Sequence, residues 1–354
     1  LYPLMAGIFA GQILGEKAMT AVGIATPFTY INTGIATLIG VGSASLLSRA
    51  IGEGNQKIID KVMGNLCFYL MQWDQTRLPY LYLFSILVLL LMGIIDDRYD
   101  ISPFLRAGVQ AFLAILMIDM GNVYLDHLGQ ILGPFQLTLG SIGLIITVLA
   151  TIGIINAFNM IDGIDGLLGG LSCVSFAAIG ILMYRDGQMD LAYWSFGLII
   201  ATIPYLMMNL GIPLGPKFKV FMGDAGSTLI GFTIIWILLL STQGKGHPMN
   251  PVTALWVIAI PLVDMVAIIY RRLRKGKSPF RPDRLHVHHL MVRAGLTSRQ
   301  AFLLITFVAA LCAGFGILGE IYYINEWIMF IAFIILFFLY SYSITKAWKI
   351  TRWI

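Results

Sequence analysis

Five carboxylates interrupt some of the most apolar runs of this chain. They are the adjacent Asp96 and Asp97 in GIIDDRYDISP, Asp162 and Asp165 in NAFNMIDGIDGLLGG, and Asp224 in VFMGDAGST. Charges close to lipid are costly and mark functional sites by default. Asp96 and Asp97 close an apolar helix, where the dipole favours cations, and as neighbours they repel; a divalent cation relieves both costs. Asp162 and Asp165 share a face if helical, and Gly163 and Gly166 let a ligand approach the backbone. Capping of a helix N-terminus would account for one of these acids at about 0.3–1 kcal/mol. It does not account for two acids together with Asn159 and the glycines. Asp224 opens an apolar helix between Gly223 and Gly226. A helix N-terminus attracts phosphate, which an Asp would repel unless a metal bridges them; hard oxygen ligands plus phosphate indicate Mg²⁺. His286, His288 and His289 follow in RPDRLHVHHL. Zinc is a poor fit to them, because Cys67, Cys173 and Cys312 lie apart in apolar segments and no HExxH pattern occurs. Phosphate or pyrophosphate binding by His and Arg suits the other motifs better. Acids, amides, basic residues and glycines of this kind are the inventory for metal-assisted phosphoryl transfer to or from a membrane lipid.

These residues need elements that hold them at one depth. The chain has 354 residues, 58% hydrophobic and 12% charged, against about 25% charged in soluble domains. That composition excludes a soluble enzyme and gives an all-α, polytopic membrane bundle, since lipid cannot satisfy open backbone groups. Apolar runs at 1–12, 28–48, 62–76, 79–95, 104–120, 142–158, 166–184, 189–209, 221–241, 252–270, 300–318 and 325–346 predict about 11–12 spanning helices. The segment from Arg271 to Arg299 carries nine Lys or Arg against one acid, Asp283, which places it in the cytoplasm by the positive-inside rule. Some of this charge, notably Arg271, Arg272 and Arg274, is explained by topology alone. Lys217 and Lys219 place the 210–220 loop in the cytoplasm as well, and counting spans backwards puts the loops near 96–103 and 159–165 on the same side. All five acids and the histidines then fall on one cytoplasmic rim. No cleavable signal peptide is evident, and nothing points to a nucleic-acid partner.

From about Leu78 onward the chain resembles the polyprenyl-phosphate N-acetylhexosamine-1-phosphate transferases, glycosyltransferase family 4. The resemblance is carried by GIIDDRYD, NAFNMIDGIDGLLGG, VFMGDAGST and RPDRLHVHHL, in that order. The HxHH form and the following MVRAGLTSRQAF are most similar to the enteric branch that uses UDP-N-acetylglucosamine. Cell-wall relatives usually carry three consecutive histidines. The resemblance implies that undecaprenyl phosphate attacks the β-phosphorus of UDP-GlcNAc, giving undecaprenyl-pyrophosphoryl-GlcNAc and UMP. This would be the first membrane step of O-antigen or enterobacterial common antigen synthesis. It implies Mg²⁺, with Mn²⁺ as the alternative ion. It further implies an inner-membrane location and leaves room for a homodimer. By motif, Asp224 with Asp97 would hold the metal, and Asp96 and Asp97 would face metal and lipid phosphate. Asn159, Asp162, Asp165 and Asn209 would position the nucleotide and diphosphate, and Phe221 would pack on uracil. His288 would sit near the diphosphate, flanked by His286, His289 and Arg284.

The head of the chain differs. AGQILGEKAMTAVGIATPFTYINTGIATLIGVGSASLLSRAIGEGNQ resembles the amino-terminal part of multidrug and toxin extrusion (MATE) transporters. A family transferase should begin with two helices and a basic loop holding Pro-x-x-Gly-Gly, and none precedes Leu78. Residues 1–77 therefore read as a fused MATE-like segment and 78–354 as the transferase domain lacking the family's first two helices. The alternatives are a MATE-type transporter, which needs a second homologous half that is not visible, and an inactive fusion.

Overall fold

The computed structural model describes residues 77–350, apart from 213, 214, 216, 218, 244–247, 277 and 279–285. The MATE-like head, the three spans expected before residue 77 and Arg284 lie outside the described residues. Within them the chain is helical, with one isolated bridge between His127 and Thr138. The helices are α1 (Arg77–Tyr99), α2 (Pro103–Asp119), α3 (Ser141–Ile161), α4 (Leu167–Arg185), α5 (Met189–Asn209), α6 (Gly223–Thr242), α7 (Pro251–Val257), α8 (Ala259–Arg274), α9 (Val287–Arg293), α10 (Ser298–Ile321) and α11 (Glu326–Ile350).

Seven described helices are long and apolar enough to cross a membrane. α2, with 17 residues, sits at the short end of the spanning range. The span expected over 252–270 is not straight: α7 and α8 meet at Ile258 at 85°. A break at membrane depth leaves carbonyls without helical partners, and they must find others. Ser175 on α4 donates to Val257 O at 3.1 Å, and the Trp256 indole N–H ties the region of the break to α11 by donating to Met329 O at 3.2 Å.

α6 is the axis of the bundle. Its apolar stretch is 94% buried, against 17% for α11, which faces outward along most of its length. α1, α3 and α4 pack around α6, and α5 and α10 pack on α4. Small residues set the closest approaches, as membrane packing favours. A Cβ on Gly93 would lie 2.2 Å from Ala225 Cα, so α1 and α6 touch backbone to backbone one turn before Asp97.

The two ends of the bundle differ in kind. At one end the 120–140 loop is fastened by side chains. Leu125 N–H donates to Thr147 Oγ1 at 2.8 Å, and Asp126 N–H donates to Gln243 Oε1 at 2.9 Å. There Glu320 accepts from Asn250 N–H at 2.6 Å and Thr253 Oγ1 at 2.7 Å. The other end gathers the acidic motifs.

Candidate active site

The turn that follows α1 explains the paired acids. After Tyr99 the chain enters the left-handed region at Asp100, with φ of 50°, and α2 begins at Pro103 behind the N-cap Ser102. Asp96 is buried beneath this turn. Its Oδ1 accepts from Ile101 N–H at 2.8 Å and its Oδ2 from Arg106 at 2.8 Å. Both oxygens are thus taken by the chain, so Asp96 holds the turn and the arginine in place. Arg106 reaches 3.5 Å from Asp224 Oδ2 as well, and so lies between two carboxylates. The apolar composition of α2 gave no sign of this partnership.

Asp97 points the other way. Its Oδ1 accepts from Asp224 N–H at 3.0 Å, one of the amides that a helix start leaves without an internal partner. Asp224 itself opens α6 and keeps a half-exposed carboxylate. Its Oδ1 accepts from Asn159 Nδ2 at 2.7 Å, and the same amide donates to Ser227 Oγ at 2.8 Å. Three helices therefore converge on Asp224: α1 through Asp97, α2 through Arg106 and α3 through Asn159. Ser227, one turn into α6, is a participant that sequence spacing did not single out.

Asp162 caps the C-terminus of α3, and its carboxyl is pushed up to about 7 by burial, then by the Asp224 and Asp165 charges. Asp165 pairs with Lys219, whose charge the sequence assigned only to topology. Asn209 is buried and works as a tie. It accepts from Gly166 N–H and donates to Val220 O at 2.7 Å, joining the turn after α3 to the segment entering α6. Phe221, in that segment, leaves its ring exposed at the mouth.

The histidines close the opposite wall. His288 is 1% exposed and neither ring nitrogen has a hydrogen-bond partner among the described residues. Its Nε2 lies 2.0 Å from where a Cβ on Gly163 would stand, so only glycine admits the imidazole between Asp162 and Asp165. Burial, then His289 and His286, lowers its pKa to about 3 and keeps it neutral. A neutral imidazole offers one donor and one acceptor, and both are open here. The His289 ring lies 4.2 Å from that of His288. His286 is turned from the cleft, with Nδ1 2.7 Å from Asp264 Oδ2. Asp264 lies in the apolar α8, where sequence reading passed over it as part of a span.

The carboxylates suit a partial metal shell. Among the described residues no three His, Cys, Asp or Glu side chains converge to cage an ion. Mg²⁺ rarely uses such a cage; it binds through one or two carboxylates and completes its shell with water and substrate phosphates. The half-exposed Asp224 beside Asp97 fits that pattern.

A profile of glycosyl transferase family 4 matches residues 79–242, and one described as MatE matches residues 1–93, overlapping the first over part of α1. Proteins named undecaprenyl-phosphate alpha-N-acetylglucosaminyl 1-phosphate transferase are similar to this chain. That of Haemophilus influenzae (strain ATCC 51907 / DSM 11121 / KW20 / Rd) is 85% identical over 292 residues, 82% of each chain. That of Pasteurella multocida (strain Pm70) is 83% identical over the same length and share. That of Escherichia coli (strain K12) is 60% identical over 275 residues, 77% of this chain and 75% of the relative. Such coverage favours the transferase reading over the transporter alternative.

Proposed function

The chain belongs to glycosyl transferase family 4, and from that premise we propose that it moves N-acetylglucosamine 1-phosphate from UDP-GlcNAc to undecaprenyl phosphate at a membrane face. The products are undecaprenyl-pyrophosphoryl-GlcNAc and UMP. The observation that carries the reading is the meeting of Asp97, Arg106 and Asn159 on the half-exposed Asp224, opposite the buried His288, whose ring nitrogens have no hydrogen-bond partner among the described residues.

An oxygen of the lipid phosphate bonds to the β-phosphorus of the donor. The bond from that phosphorus to the bridging oxygen breaks, and UMP leaves with the electron pair. A phosphate monoester has its second pKa near 6, so the nucleophile needs little deprotonation at neutral pH. Asp96, with both oxygens occupied, accordingly serves as the anchor of Arg106 rather than as a base. Arg106 neutralises charge between the reacting phosphates. Asp97 and Asp224 would hold Mg²⁺, which supplies neutralisation of the diphosphate and polarisation of the β-phosphorus. Asn159 keeps Asp224 in its rotamer, while Asp162, Asp165 and the Asn209-tied segment with Phe221 receive the nucleotide. His288 hydrogen-bonds the diphosphate as a neutral donor. The site end faces the cytoplasm of the inner membrane in this reading, and the head up to residue 77 is a MATE-like addition.

The test follows label from UDP-[¹⁴C]GlcNAc into the lipid phase, using purified full-length protein and undecaprenyl phosphate. Mg²⁺-dependent, chelator-sensitive transfer is expected. Arg106→Met should lower kcat/KM by on the order of 100-fold or more, as loss of charge stabilisation does at comparable sites. Label that stays in the aqueous phase at every Mg²⁺ concentration would overturn the reading.

A further inference from the structure

A second buried carboxylate stands behind the histidines. Asp264 is 1% exposed within α8, in the run IPLVDMVAII, where an ionisable group at membrane depth needs partners. It has three, from three parts of the chain. His286 Nδ1 lies 2.7 Å from Oδ2, Val287 N–H donates to Oδ1 at 3.2 Å, and Tyr340 OH on α11 donates to Oδ1 at 2.6 Å.

We propose that Asp264 is a positioning residue for sugar-phosphate transfer, setting both the tautomer of His286 and the seat of His288 against Gly163. The inference rests on the transferase reading for its catalytic consequence and on geometry for the rest. An ionised carboxylate only accepts hydrogen bonds. His286 must therefore direct an Nδ1–H at Oδ2, the second-sphere logic by which a carboxylate orients an imidazole. The same carboxylate grips Val287 N–H, so the backbone is held at the start of α9. His288 follows one residue later. Its ring runs nearly parallel to that of His286, 7° between planes and 5.7 Å between centroids, and packs on the Gly163 turn. Asp264 touches no substrate in this arrangement and acts through the two rings.

Asp264→Asn separates positioning from bulk. The amide is nearly isosteric and still accepts from Val287 and Tyr340, but its NH₂ faces His286 Nδ1 and turns that nitrogen into an acceptor. In the full-length chain with ¹⁵N-labelled histidine, the variant should move the His286 signal from the Nδ1–H to the Nε2–H tautomer. Its kcat should fall about 10- to 100-fold with KM for UDP-GlcNAc within about threefold, the range typical of lost second-sphere support. Tyr340→Phe is the structural control. It removes one hydrogen bond without altering the carboxylate, and should lower thermal stability while leaving the tautomer unchanged and kcat within about threefold. An unchanged tautomer in Asp264→Asn, or an equal kcat loss in Tyr340→Phe, overturns the proposal. If wild type transfers no sugar phosphate while the tautomer moves as stated, the proposed reaction fails and the positioning geometry stands.

Discussion

At the scale of single residues, the site is a set of paired charges in which each acid has a distinct task. Both oxygens of Asp96 are engaged by the Ile101 amide and Arg106, Asp97 fastens the α6 terminus through Oδ1, and Asp224 accepts from Asn159 through Oδ1. Asp162 is the acid whose ionisation is most opposed, with its carboxyl at about 7 against an ordinary 3.8. A raised value means that the folded chain binds the proton more tightly than the unfolded chain. The stabilisation from protonated Asp162 is therefore complete below about pH 4 and lost as pH rises through about 7. In the ligand-free protein, the Tm of wild type minus that of Asp162→Asn should fall across this window. Thermal unfolding at several pH values reads the difference, and the subtraction removes the opposite trend contributed by His288. A flat difference would mean that Asp162 is already ionised in the folded chain. These acids were legible in the sequence because a carboxylate among apolar residues stands out. Their partners were not: Arg106 is an ordinary basic residue in one helix, and its contact with Asp224 spans two helices and a membrane-buried axis.

At the scale of elements, close helix packing transmits geometry to the chemistry. α1 meets α6 at Gly93 and Ala225, and four residues later Asp97 takes the amide of Asp224. Adding a methyl at Gly93 forces the backbones apart. Gly93→Ala should cost about 1–3 kcal/mol of stability, as overpacking does, and should weaken transfer by drawing Asp97 off the α6 terminus. Gly108→Ala on α2 meets nothing within 4 Å and serves as the control, with near wild-type activity and a slight gain in helix preference. Lipid-extractable label and a thermal melt on both variants check this. The bend at Ile258 is another product of elements in contact. Its freed carbonyl is satisfied by Ser175 of α4, a partner that local sequence around the bend does not reveal.

At the scale of the molecule, the acidic and histidine motifs occupy one end of the bundle and the Gln243- and Glu320-fastened loops the other. The basic end of α8, with Arg271, Arg272 and Arg274 in its last turn, lies with the site. The positive-inside rule is the ground for the proposed cytoplasmic placement of the site, where nucleotide sugars are available. With the native cysteines replaced, Gln136→Cys should react with a membrane-impermeant maleimide in intact cells. Lys275→Cys, also exposed, should react after the membrane is opened. The reverse pattern would invert the topology.

The sequence by itself determined the class of the molecule and the residues with chemical potential, and it predicted that they share one membrane face. Composition settles helices in lipid, and polar residues in apolar runs are too costly to be incidental. Only the tertiary structure decided which helix forms the axis and which acids stay available. Core-facing and lipid-facing positions are equally apolar, so no pattern separates α6 from α11. Likewise, an aspartate reads the same in sequence whether it meets an arginine, a helix terminus or a histidine. For Asp96, Asp97 and Asp264 those partners come from turns or helices that only folding brings into reach.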